Sequence, residues 1–177
     1  ISLYHNFFYD FLIPNSRYYF MSKYFENVFT QILIELECDY ATNVHLSKTS
    51  DPKNDFIEID ALVKKNDHQI VYFENKTTLS KFNIDDTICK IEKFHSFLLD
   101  AYPDLIFEYI IISPYCDETI KESYWYFAKN GYEAREDIKH YTYNFVIPLA
   151  KFDNISLRCI VEPEYEKMKT LINSIIR

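Results

Sequence analysis

Between residues 18 and 37 the apolar side chains recur at helical spacing: Met21, Tyr24 or Phe25, Val28 or Phe29, Ile32 or Leu33, then Leu36. Positions three and four apart share one helix face, so the segment predicts an amphipathic helix, with Ser16 after Pro14 as a plausible N-cap. The pattern then changes. Residues 44–46 predict a short strand, and residues 48–54, which include Pro52, a loop. Residues 56–64 and 70–76 read as strands joined in a hairpin through residues 64–68. A second helix is predicted over residues 83–102, with Ile84, Ile88, Ile91 and Leu98 on one stripe and Pro103 just beyond its end. Residues 105–113 form a near-continuous apolar run, as expected for a strand covered on both faces. Asp117 can cap a third helix ending at Gly131. Strands near residues 140–148 and 157–161, and a closing helix from Glu164, complete the order. This is the pattern of an α/β sandwich, a mixed central sheet flanked by helices, in a single domain spanning residues 1–177.

Composition narrows the choice of function. At 177 residues, 48% hydrophobic and 26% charged, the chain can bury a proper core. No apolar run approaches the ~20 residues needed to cross a bilayer, and no signal peptide is visible, so a cytoplasmic protein without a membrane partner is expected. Ile1 in place of an initiator Met fits a piece of something longer, with a sensor or targeting domain upstream. Cys38, Cys89, Cys116 and Cys159 are scattered, and the five histidines lack ligand spacing, so neither a zinc ribbon nor a disulfide framework is indicated. Gly131 is the single glycine. A G-x-G-x-x-G turn and a phosphate-cradling P-loop are therefore both excluded.

The candidate chemistry lies in residues 56–76. A strand side chain returns to the same face every second residue, so Glu74 and Lys76 project together. If the two strands pair as a hairpin, Asp60 sits beside them. Two carboxylates and a lysine then converge on a space fit for one hydrated divalent cation, an arrangement suited to cleaving phosphodiesters. Mg²⁺ and Mn²⁺ prefer oxygen ligands, and Mg²⁺ keeps several waters, so one or two carboxylates plus a substrate phosphate suffice. Such a cation acidifies water and offsets charge developing on the phosphate, while Lys76 can orient the attacking water or stabilise that charge.

With Asp60 in EIDALV, Glu74-Asn75-Lys76 in YFENK and Glu26 in KYFENVFTQIL, the chain resembles the PD-(D/E)XK nuclease superfamily. That family combines a leading helix carrying a Glu, a strand carrying an Asp, a strand ending in E-x-K, and a helix packed across the site. The resemblance covers residues 18–113. It implies a restriction-endonuclease-like fold, catalytic roles for Glu26, Asp60, Glu74 and Lys76, and a Mg²⁺ or Mn²⁺ ion held by Asp60, Glu74 and the backbone carbonyl of Asn75. Glu26 is expected to bind a second metal or position a water. Glu35 and Glu37 compete with it as the inward helix carboxylate, and Glu58 shares the face of Asp60.

Family enzymes often place basic residues on the covering helix, which makes Lys81, Lys90 and Lys93 candidates for substrate binding. The plainer reading is a solvated face with an Asp86–Lys90 pair. The Tyr124–Phe127 cluster tempts one toward base stacking, but with 16 Tyr and 15 Phe some rings must fill the core. Phe127, Ile120 and Tyr124 read as core, and Trp125 stays open between core and stacking. The resemblance implies a metal-dependent endonuclease acting on nucleic acid, DNA before RNA, of the restriction and defence effector kind, with a homodimer as a natural assembly. The net charge of −8 is unusual for such a role, since phosphate contacts normally come from a basic footprint. The alternative is a catalytically silent domain of the same fold serving as a nucleic-acid or protein interaction module. A junction-resolving or repair nuclease is a third reading.

Overall fold

The computed structural model describes residues 14–47, 56–117, 120, 143–152 and 154–177, with side chains from Met21 onward in the first helix. The elements in chain order are helix α1 (Pro14–Glu35), strands β1 (Asp39–Ser47), β2 (Phe56–Asn66) and β3 (Gln69–Asn75), helix α2 (Lys81–Ala101), strands β4 (Ile106–Ser113), β5 (Tyr143–Pro148) and β6 (Ser156–Val161), and helix α3 (Tyr165–Ile176). The six strands form one mixed sheet in the order β1-β2-β3-β4-β6-β5. β1, β2 and β3 form an antiparallel meander, β3, β4 and β6 run parallel, and β5 returns antiparallel at the edge.

Each face of the sheet is covered. On one side Ile84, Ile91, Phe94 and Leu98 of α2 pack on Tyr72, Tyr109 and Ile111. On the other, Phe25, Phe29, Ile32 and Leu33 of α1 and Met168, Ile172 and Ile175 of α3 pack on Val71, Phe73, Ile110 and Ile112. The apolar run of β4 thus supplies alternate residues to two cores, as a strand buried on both faces must.

The α/β sandwich with a mixed sheet flanked by helices is as the periodicity predicts. The first strand is not: β1 runs over nine residues, where only residues 44–46 read as extended. Its side chains are half-buried at best, so the alternation that marks a strand is weak there. The α2 stripe also differs, because Ile88 is only partly buried while Thr87, Phe94 and His95 are buried. The loop at 48–54 and most of the helix expected after Asp117, with its aromatic cluster, lie outside the described residues. Ile120 is buried in the α2-side core, and its N–H donates to Asp117 Oδ1 at 3.3 Å, as a capping aspartate would arrange.

Candidate active site

The β2–β3 hairpin turns tightly at Asp67-His68, with Asn66 Oδ1 accepting the His68 N–H at 2.9 Å. Its ladder runs from Asn66↔Gln69 to Ala61↔Phe73 and stops one residue short of Asp60. There β2 changes side. Ala61 and Val63 belong to the α1/α3 core, whereas Ile59 and Ile57, in phase with them by period two, belong to the α2 core. The partner strand marks the same place: Asn43, between the pairs Thr42↔Ala61 and Val44↔Ile59, has φ 52°. Asn is among the few residues that adopt this left-handed conformation readily.

Because β2 turns away, its backbone no longer meets Asn75 at the end of β3. Asp60 fills the gap, and its Oδ2 accepts the Asn75 N–H at 2.6 Å. The next N–H, of Lys76, donates to Ile112 O on β4 at 2.9 Å. In a trans peptide the carbonyl points opposite to the following N–H, and all described peptides are trans. The Asn75 carbonyl therefore faces away from β4, toward the Asp60 side. Asp60 and this carbonyl bring two hard oxygens to the edge that β2 leaves open.

Glu74 faces the α2 side of the sheet and is 1% exposed. Its Oε1 accepts from Lys76 Nζ at 2.6 Å and from Lys90 Nζ at 2.7 Å, while its Oε2 accepts from the Tyr72 hydroxyl at 3.1 Å. Lys90 arrives from α2, whose phase is fixed at its start. Leu79 N–H donates to Tyr115 O at 2.7 Å, and Ser80 caps the helix through the Asn83 N–H at 3.1 Å. Lys90 lies beside the buried stripe of α2, close enough for its long stem to reach the end of β3.

The two carboxylates divide their charge unequally. Burial raises the Glu74 carboxyl, but the Lys76 and Lys90 ammoniums outweigh it and hold the group below its ordinary range. Asp60 is pushed up from 3.8 to about 6, first by burial and then by the Glu74 charge. Burial lowers Lys90, yet Glu74 and Asp60 leave it net raised, so it stays an ammonium at neutral pH. Burial and Glu74 push the Tyr72 phenol far up, which keeps it a donor.

Of the residues singled out from sequence, Asp60, Glu74, Asn75, Lys76 and Lys90 come together. Lys90 does so through Glu74, not through the i,i+4 pairing with Asp86. Tyr72, not singled out from sequence, joins them through Glu74; its signal is its place two residues before Glu74 on the same strand face. Glu26 keeps to its own helix: Ser22 Oγ donates to its Oε1 at 3.1 Å and Lys23 Nζ to its Oε2 at 2.6 Å. Glu35 faces α3 and pairs with Lys169, and Glu58 is exposed opposite His45. Lys81 and Lys93 are exposed on α2, with the Lys93 ammonium 5.2 Å from the Phe94 ring centre.

Among the described residues, no group of three or more His, Cys, Asp or Glu side chains is placed to hold a metal. The donors at the end of β3 are instead two carboxylates and a main-chain carbonyl. Hard oxygens of this kind suit Mg²⁺ or Mn²⁺ and no soft metal. The raised Asp60 fits as well, because burial and then the Glu74 charge leave its ionised form short of compensation. Thr87 Oγ1, one turn before Lys90 on the sheet-facing stripe, is buried without a hydrogen-bond partner. No protein-family model, no curated protein and no solved structure matches this chain.

Proposed function

We propose that the chain is a divalent-metal-dependent nuclease with a restriction-endonuclease-like fold of the PD-(D/E)XK kind, hydrolysing phosphodiester bonds, DNA before RNA. The observation that carries the reading is the convergence of Asp60, Glu74 and Lys76 where β2 leaves β3. A buried Glu74 meets two lysines there, and a carboxyl raised to about 6 lies beside it. The order of helix, Asp strand, E-x-K strand and covering helix is the one the resemblance calls for. Fixed charge of this kind is expensive to bury, and it concentrates at sites that do chemistry.

Asp60, Glu74 and the Asn75 carbonyl would hold the cation. When bound, it supplies Lewis-acid charge at the phosphate and lowers the pKa of a nearby water. The protein does the rest. The Asn75 N–H holds Asp60 with one oxygen occupied and the other available. Tyr72 fixes the Glu74 carboxylate from beneath. Lys76, whose side chain is 23% exposed, places an ammonium at the solvent side of Glu74, where it can stabilise charge on an in-coming phosphate. A role in restriction or defence, with DNA substrate and a dimeric assembly, belongs to the same proposal.

One observation favours the second reading, a silent binding module. Protein donors alone give Glu74 three hydrogen bonds, so its network could serve structure alone. Thermal denaturation separates the two. A millimolar addition of Mn²⁺ or Mg²⁺ is expected to raise the Tm of the wild type and leave Asp60→Ala unchanged. Equal responses from both proteins, or none, would favour the silent module.

A further inference from the structure

Glu74 offers four lone pairs on two oxygens, and three are taken. Both acceptor positions of Oε1 are filled by ammoniums, at 2.6 and 2.7 Å. A hard cation using Oε1 must therefore replace one of them. The two lysines are not equivalent in this respect. Lys76 sits two residues from Glu74 at the end of the same strand, with its own N–H anchored on Ile112 O. Lys90 reaches across from α2 on a four-carbon stem, and its side chain is 29% exposed, so a path to solvent is open. Its attraction is also shared between Glu74 and Asp60, the two carboxylates that would hold a metal.

We propose that Lys90 is a resident counter-cation, which occupies Glu74 Oε1 in the metal-free protein and is displaced from it when a divalent cation binds Asp60 and Glu74. The inference rests on the metal-site reading given above and adds an exchange step to it. In the metal-free state the pairing keeps a buried carboxylate from standing uncompensated. On metal loading, Lys90 moves outward and its ammonium becomes accessible.

Two measurements test this. Mn²⁺ is titrated by calorimetry into the wild type, Lys90→Met and Lys90→Arg. Removing the competing charge should tighten Mn²⁺ binding about tenfold or more in Lys90→Met, while Lys90→Arg stays near the wild type. In parallel, Lys90 is labelled with an amine-reactive acylating reagent and followed by mass spectrometry. Labelling should rise severalfold on adding Mn²⁺ to the wild type, and should be high with or without Mn²⁺ in Glu74→Gln. Wild-type binding with unchanged or weaker affinity in Lys90→Met overturns the exchange and leaves the metal site standing. So does Mn²⁺ binding that leaves Lys90 labelling unaltered. If neither the wild type nor Lys90→Met binds Mn²⁺, the exchange and the metal-site reading fall together.

Discussion

Replacing Asp60 by Asn should make the metal-free protein more stable at neutral pH. The carboxyl is raised from 3.8 to about 6, so the folded state holds its proton more tightly than the unfolded chain does. The charged form is accordingly penalised on folding. That penalty is present in full above about pH 6, and it is relieved as pH falls through 6 toward 3.8. Each pKa unit is worth about 1.4 kcal/mol, so the rise corresponds to about 3 kcal/mol at most at pH 7.5. Asn removes the charge and keeps an oxygen to accept the Asn75 N–H. Urea denaturation of the wild type and Asp60→Asn in EDTA, between pH 4 and 7.5, measures the difference. The variant should gain up to about 3 kcal/mol at pH 7.5, with the gain shrinking toward zero near pH 4. A variant equal to or less stable than the wild type at pH 7.5 would refute the claim that Asp60 is held in an unfavourable charged state.

Glu74 should behave in the opposite sense. Its lowered carboxyl contributes stability above its ordinary value of 4.5, lost as pH falls through the folded value. Glu74→Gln should therefore cost about 3 kcal/mol at neutral pH in the same urea assay, because it takes the buried counter-charge from the Lys76 and Lys90 ammoniums. Tyr72→Phe removes one donor from a buried carboxylate and should cost about 1–3 kcal/mol without altering the sheet, as read by urea midpoint and far-UV dichroism. His95 is buried with Nδ1 2.7 Å from the Tyr109 hydroxyl, and burial lowers its pKa below 6.5. Protonating His95 therefore opposes folding, and His95→Gln should hold its Tm better than the wild type as pH drops below 6.5; parallel Tm–pH profiles would remove His95 as a source of acid sensitivity.

Much of the fold was legible because periods of 3.6 and 2 survive in the long elements. α2 carries a helical apolar stripe and β4 a near-continuous apolar run, and the hairpin at Asp67-His68 is bracketed by clear strands. β1 was underestimated because Thr42 and Asn43 interrupt it and neither of its faces is fully buried. Among the site residues, Glu74 and Lys76 could be paired from spacing alone, since they share a strand. The role of Asp60 depends on β2 changing side at that residue, and nothing in EIDALV reports it; the positive φ of Asn43 on the neighbouring strand is a tertiary fact. Lys90 was harder still. It lies off the apolar stripe of α2 and has an acidic residue four positions earlier, so local rules favour a surface pair. Only the placement of α2 over the end of β3 shows that its partner is Glu74.

Cleavage of nucleic acid reads out the proposed metal-dependent phosphodiester hydrolysis itself. Wild type and Glu74→Gln are incubated with single- and double-stranded DNA and RNA in Mn²⁺ or Mg²⁺, with EDTA as control. Cleavage by the wild type should need the cation, stop in EDTA and be lost in Glu74→Gln. Cleavage that persists in EDTA or in the variant, or no cleavage of any substrate by a wild type shown to bind the metal, would contradict it.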